Sequence, residues 1–413
     1  MFATFKKLGP GLIFAGAAIG VSHLVQSTRA GADFGFGLLW ALLLVNLFKY
    51  PFFQFGPRYA MATGESLVDG YKRMGKGILI TYFILTFATM FTIQTAVTIV
   101  TASLASNLFG DFTALNVLGV SLSSIQIWTV LLLFICGIIL SIGKYRFLDV
   151  LMKVIIITLT LSTIVTVVSS VNQYDGILNF QQIFPEESSW VFLIAFMGWM
   201  PAPLDISIWH SLWSLEKTKI DSKANPKSAL FDFNIGYIMT IILGICFLSL
   251  GALVMFNSGE NLSTDASLFS QQLISMYTKS LGNWSYIFIG LAAFTTMFST
   301  TLTTFDGSPR VMAKTTLLLF KNIQKNTYFH WLLVLFLGSI IIFFFLSAEL
   351  GNLVKFATVL SFLTAPFYAI INYKLMTGNH VPKAWRPSIH MKILSLFGIL
   401  FLVGFGLWYL TIL

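Results

Sequence analysis

The sequence predicts an all-α polytopic membrane protein of about eleven transmembrane helices, built as two inverted five-span repeats with one span appended. Three observations carry this. The 413 residues are 56% hydrophobic and only 10% charged, with a mean hydropathy of +0.83. Apolar runs of spanning length recur along the whole chain. Two of them, five spans apart, are interrupted by helix breakers and polar residues about ten residues after they begin.

The spans fall at about 10–31, 36–56, 78–108, 124–142, 148–170, 189–213, 230–256, 284–304, 329–347, 353–373 and 391–412. Repeat one then covers about 10–170 and repeat two about 189–373, with span 11 added, in one transmembrane domain over 1–413. The first apolar run follows a short basic stub and continues past any cleavage site, so no cleavable signal peptide is expected. The net charge of +9 is spread as topology and not as a nucleic-acid patch. Lys6, Lys7, Arg58, Lys72, Arg73, Lys76, Lys144, Arg146, Lys217, Lys219, Lys223, Lys227, Arg310, Lys314, Lys321, Lys325, Lys374, Lys383, Arg386 and Lys392 all fall on one set of alternate connections. Asp111, Asp175, Glu186, Glu187, Glu260, Asp265 and Glu349 fall on the other, where Lys279 is the basic exception. Basic connections stay cytoplasmic, which predicts a cell-membrane protein with its N-terminus inside and its C-terminus outside.

Span 6 contains residues 196–213, FMGWMPAPLDISIWHSLW, with Pro201 and Pro203 one residue apart and Asp205 directly after them. Proline removes a backbone donor, and the freed carbonyls are tolerated at membrane depth only where protein or a water-filled cavity receives them. Span 1 reads GPGLIFAGAAIGVSHLVQSTRAGADFGFG and carries Gly20, Ser22, His23, Gln26, Ser27 and Arg29 midway, which predicts a break near 20–23 facing the one in span 6. The candidate binding residues are therefore Gly20, Ser22, His23, Gln26, Met200, Pro201 and Asp205, with Asp205 and His23 as candidate metal ligands.

The remaining spans say less. Span 3 has no acid; its polar content is threonine, serine and Gln94. Lys153 is expected to snorkel from span 5, and Pro366 to kink span 10. Asp306-Gly307-Ser308-Pro309-Arg310 reads as a turn after span 8, with Asp306 and Arg310 as a cap or gate pair. Cys136 and Cys246 lie in apolar spans as core filler. No phosphate loop, dinucleotide fingerprint, HExxH or nucleophile elbow is present, and the chain does not read as an enzyme.

Gly9-Pro10-Gly11, Ala30-Gly31-Ala32-Asp33-Phe34-Gly35, Leu38-Leu39-Trp40, Met200-Pro201 and His210-Ser211 resemble the motifs of the NRAMP divalent-metal transporter family. The resemblance implies a leucine-transporter-type fold, substrate held between broken spans 1 and 6, and import coupled to protons. It also exposes departures. Where the family has Asp-Pro-Gly-Asn in span 1, this chain has Gly20-Val21-Ser22-His23. The histidine that follows Met-Pro is Ala202 by one alignment and Asp205 by the other, because His210-Ser211 lies three residues further on than the family's spacing. The family's span 3 acids align with Gln94 and Val97. Gln94, His210, Asp306, Arg310 and Arg29 are then candidate coupling or gating groups.

Two transport readings follow. One is a secondary-active importer with a rebuilt site for a divalent ion of the Mn²⁺ or Mg²⁺ class, as substrate and with no cofactor. The other is a carrier of a small anion or organic solute with weak or absent proton coupling. Asp205 serves the first as ligand, with Arg29 paired to Asp33 or Asp205 so that it does not repel the cation; Arg29 with His23 and the helix N-termini at the breaks serves the second. The expected partners are the lipid bilayer and a small ion or solute, not nucleic acid.

Overall fold

A computed structural model describes residues 8–113, 115–117, 120–174, 176–220, 225–256, 262–263, 266–283, 286–320, 326–346 and 350–412. Lys6, Lys7, Asp175, Lys223, Glu260, Asp265, Lys321, Lys325 and Glu349, used above for the charge pattern, lie outside them. Helices occupy all eleven expected positions. Span 1 is Pro10–Ala18 followed by a π-helical turn, Ser22–Ser27, and then Thr28–Phe34. Span 2 is Leu39–Thr63 and span 3 is Lys76–Phe109. Helical backbone runs unbroken from Ser124 to Asn172. At 1.5 Å per residue that is about 74 Å, far more than one hydrocarbon thickness. Its two apolar parts, Ser124–Ile142 and Met152–Asn172, are spans 4 and 5.

Span 6 consists of Trp190–Trp199 and Ile206–Ile220. Spans 7 to 11 are Pro226–Val254, Tyr286–Leu319, Thr327–Leu346, Leu350–Thr377 and Ile389–Ile412. Among the described residues seven helices are long and apolar enough to cross a membrane alone, and an eighth counts if the bent halves of span 1 are taken together. A two-stranded hairpin, Leu115–Val117 with Val120–Leu122, joins spans 3 and 4.

One local expectation is corrected. Residues 306–310 form no turn: span 8 continues through Pro309 to Leu319, which puts Asp306 and Arg310 one helical turn apart on the same face. Span 10 is helical on both sides of Pro366. Two short helices lie in connections that apolar runs alone do not reveal, Leu67–Met74 and Ala266–Leu281. The first is capped by a reciprocal pair in which Ser66 Oγ accepts from the Asp69 N–H and Asp69 accepts from the Ser66 N–H.

Glycines let the central helices cross backbone to backbone. A Cβ on Gly31 would stand 1.9 Å from the Leu248 carbonyl oxygen, and one on Gly251 would stand 2.1 Å from that of Thr28. On the other side of the break, a Cβ on Gly236 would stand 2.1 Å from the Gly11 carbonyl oxygen. Span 7 thus touches span 1 above and below its interruption. The same device joins Gly56 of span 2 to the Ser207 carbonyl of span 6, at 2.1 Å. Asp232 of span 7 completes the crossing by accepting from the Gly9 N–H at 3.0 Å and the Gly11 N–H at 2.8 Å. It fixes the buried start of span 1, where the first N–H groups of a helix have no partner of their own.

Candidate functional site

The first half of span 1 stops at Ala18, and the two parts of the span meet at 48°. Three carbonyls near the break find donors outside the helix. Thr300 Oγ1 of span 8 donates to Gly16 O at 2.9 Å and lies 3.1 Å from Ile19 O. A Cβ on Gly20 would stand 2.7 Å from that hydroxyl, so only glycine leaves room for it. Ser22 Oγ lies 2.8 Å from Ala18 O and 3.2 Å from Pro201 O, so it stands between the two breaks, and its single proton serves one acceptor at a time.

In span 6 the helix ends at Trp199, the Met200–Pro201 peptide is cis, and helix resumes at Ile206. Four carbonyls at this break surround one side chain. Lys49 of span 2, fully buried, points its ammonium at Met197 O (2.8 Å), Gly198 O (2.7 Å), Met200 O (3.0 Å) and Ala202 O (3.4 Å). Asp205 is buried beside it, and the two charges interact. Asp205 Oδ1 has no hydrogen-bond partner, and the Ile206 N–H donates to Pro203 O at 3.2 Å. Tyr71, Tyr82 and Tyr368 are its other electrostatic neighbours.

Between the breaks lies a small cavity with room for about one water-sized group, about 20 Å³. Spans 1, 3, 6 and 8 line it, through Gly20, Val97, Trp199 and Trp209 among others. Its polar side-chain groups are the hydroxyls of Ser22, Thr300 and Thr304 and the indole N–H groups of Trp199, which donates to Ser361 Oγ, and Trp209, which has no partner; no charged side chain lines it.

The remaining candidates separate by position. His23 is fully buried with both ring nitrogens engaged. Nε2 faces the Thr240 carbonyl at 2.9 Å and therefore carries the proton, and Nδ1 lies 2.7 Å from Ser22 Oγ. Gln26 is buried near the break with its Oε1 unpartnered. Gln94 ties span 3 to span 8: its Nε2 lies 3.3 Å from Thr301 O, and its Oε1 accepts from Thr304 Oγ1 at 2.7 Å. Arg29 does not pair with Asp205. It donates to the Ser263 carbonyl, lies 5.5 Å from the centre of the Phe269 ring, and interacts with Asp33 one turn on. His210 is stacked on Phe14 at 5.6 Å, with neither ring nitrogen hydrogen-bonded.

Asp306 and Arg310 form a knot away from the cavity. The Asp306 carboxylate accepts from Arg310 Nε (3.0 Å) and Nη2 (2.7 Å), from Trp213 Nε1 (3.0 Å) and from Tyr328 OH (2.8 Å). Spans 6, 8 and 9 meet there. The Leu67–Met74 helix packs nearby: the Leu67 N–H donates to Ser211 Oγ at 3.1 Å, Tyr71 OH donates to Asn372 at 2.5 Å, and Lys314 reaches Asp69 at 2.7 Å.

The family model described as natural resistance-associated macrophage protein-like, Nramp, matches residues 11–411. The chain belongs to the Nramp family. Nramp proteins are membrane transporters, and this chain is a divergent, multi-pass member. An uncharacterized protein of Pasteurella multocida is 36% identical over 98% of the chain and 92% of its own length. Among solved structures, the manganese transporter of Eremococcus coleocola superposes with a TM-score of 0.70 at 16% identity, covering 98% of this chain and 86% of that one. The nucleobase-cation-symport-1 transporter Mhp1, solved with bromovinylhydantoin, gives 0.62 at 15% identity, covering 97% and 92%. MhsT, solved with L-phenylalanine, gives 0.64 at 14%, covering 96% and 98%. This Nramp chain thus has the leucine-transporter-type fold.

Three residues central to this Nramp site escape a reading of motifs. Lys49 carries a signal of its own, being a lysine near the middle of an apolar span. Thr300 and Asp232 carry none, because threonine and a carboxylate near a helix end are ordinary residues until their carbonyl and N–H partners are known.

Proposed function

We propose that this protein is a secondary transporter whose central cavity takes a small uncharged solute, not a divalent ion. The observation that supports this reading best is the cavity wall, mostly apolar, with three hydroxyls and the unpartnered Trp209 indole N–H and without a charged side chain. A divalent cation wants several oxygen ligands with a carboxylate among them. Among the described residues no three His, Cys, Asp or Glu side chains are grouped as a metal would need. His23 offers no free nitrogen, since one faces a carbonyl and the other is engaged by Ser22. With Gln94 and Val97 in span 3, proton coupling is weak or absent. The basic connections put the N-terminus in the cytoplasm and the C-terminus outside.

One observation favours the metal reading as a second choice: Asp205 Oδ1 is buried without a partner. Purified protein in proteoliposomes separates the two. Uptake of Mn²⁺ and Mg²⁺ is measured against that of small neutral and anionic solutes, with and without a pH gradient. The uncharged-solute reading expects no Mn²⁺ or Mg²⁺ uptake above empty vesicles. Mn²⁺ uptake that Asp205→Asn abolishes would replace it with the metal reading.

A further inference from the structure

We infer that Lys49 is a resident cation: its ammonium fills, on a covalent tether, the carbonyl site that the interrupted span 6 would otherwise offer to a free ion. The site has the chemistry of a cation site. Met197 and Gly198 lie in the last turn of a helix, where carbonyls lack intrahelical donors and the helix dipole is negative. Unwinding over residues 200–205 turns the Met200 and Ala202 carbonyls toward the same point. Neutral carbonyl oxygens converging in this way replace the hydration shell of a monovalent cation. An ammonium has three protons, so three contacts are full hydrogen bonds, at 2.7–3.0 Å, and the fourth, at 3.4 Å, is mainly electrostatic. Asp205, the acidic residue at the end of the unwound stretch, is buried there as well.

Nothing in ordinary helix packing asks for this arrangement. A lysine near the middle of an apolar span is costly unless it is paired or hydrogen-bonded. Here it approaches from a neighbouring helix and reaches across to the break. Because the charge cannot leave, the break in span 6 neither binds nor releases an ion during a transport cycle. The inference does not depend on which uncharged solute the cavity takes.

The test removes the tether and offers the cation back. Wild type, Lys49→Ala, Lys49→Met and Lys49→Arg are purified in detergent. Thermal midpoints are measured at constant ionic strength in choline, sodium, potassium or n-propylammonium chloride. Wild type should show one midpoint in all four salts. Lys49→Ala should melt lower in choline and gain a saturable upward shift with n-propylammonium, which restores both stem and charge, and with sodium or potassium. Lys49→Met keeps the stem's volume and should not respond to n-propylammonium. A folded Lys49→Ala that responds to no cation overturns the inference. So does a wild type with its own saturable sodium or potassium response. If Lys49→Ala aggregates in choline, recovery of a monodisperse protein with n-propylammonium or potassium supports the inference. Aggregation in every salt while Lys49→Arg purifies normally overturns it.

Discussion

Replacing Asp306 with asparagine tests whether the knot between spans 6, 8 and 9 is a buried electrostatic tie. The carboxylate accepts four hydrogen bonds, two of them from Arg310. An asparagine side chain is isosteric, yet in either orientation its NH₂ group faces donors and one set of bonds is lost. Its larger effect is on Arg310, which among the described residues keeps Glu216, 3.9 Å away, as its remaining paired carboxylate. Breaking a buried pair by removing one partner costs roughly 3–5 kcal/mol. The Asp306 side chain is 2% exposed, but that of Arg310 is 25% exposed, and water recovers part of the loss. The expected cost is therefore near the lower end, about 3 kcal/mol. The assay is reversible unfolding in mixed micelles for Asp306→Asn, Arg310→Met and the double variant. Because each single change strands the other group, the double variant should be less destabilised than the sum of the singles by at least about 1 kcal/mol. Additive losses, or a single variant within about 0.5 kcal/mol of wild type, would refute the reasoning.

Gly31→Ala and Gly251→Ala each place a methyl against a neighbouring backbone, 1.9 and 2.1 Å from a carbonyl oxygen, and should cut the yield of monodisperse protein in fluorescence-detected chromatography more than Gly404→Ala, which meets nothing within 4 Å. Asp232→Ala removes both acceptors at the start of span 1 and should destabilise by about 2–4 kcal/mol, whereas Asp232→Asn, keeping one acceptor, should cost clearly less. Thr300→Val leaves the Gly16 and Ile19 carbonyls without their hydroxyl and should cost about 1–3 kcal/mol, with transport falling further than stability accounts for; Thr300→Ser should restore both. Mercury labelling in detergent should leave Cys136 and Cys246 far slower than a cysteine placed at Gly64, because both are buried and Gly64 meets nothing within 4 Å.

Hydrophobic run length was enough to place the eleven spans, because bilayer thickness enforces it, and proline and glycine chemistry marked both interruptions. What run length cannot tell is how a helix ends once its residues turn polar. Span 8 continues through Gly307-Ser308-Pro309 to Leu319, with the Asp306 and Arg310 side chains bound to each other along one helix face across the proline. Nor does a list of polar residues near a break show which way they point. His23 and Arg29 sit in the right stretch, but one is engaged by Ser22 and a neighbouring carbonyl and the other faces away from Asp205, held by a distant connection. Lys49 was legible as a charge in an apolar span. Its target was not, since four carbonyls on another helix carry no sequence mark.

The glycine crossings divide the molecule into parts that exchange contacts easily and parts that do not. Backbone contact on both sides of its break welds span 1 to span 7, and Gly56 welds span 2 to the second half of span 6. Contacts from these helices to span 8 pass instead through rotatable groups: Thr300 with Gly16, and Trp213 with Asp306. A hydroxyl or an indole can let go of its partner at small cost, while two backbones in van der Waals contact can only slide or separate together. Spin-label pairs placed across spans 1 and 7 should therefore report one sharp distance throughout turnover. Pairs from span 6 to span 8 should report two.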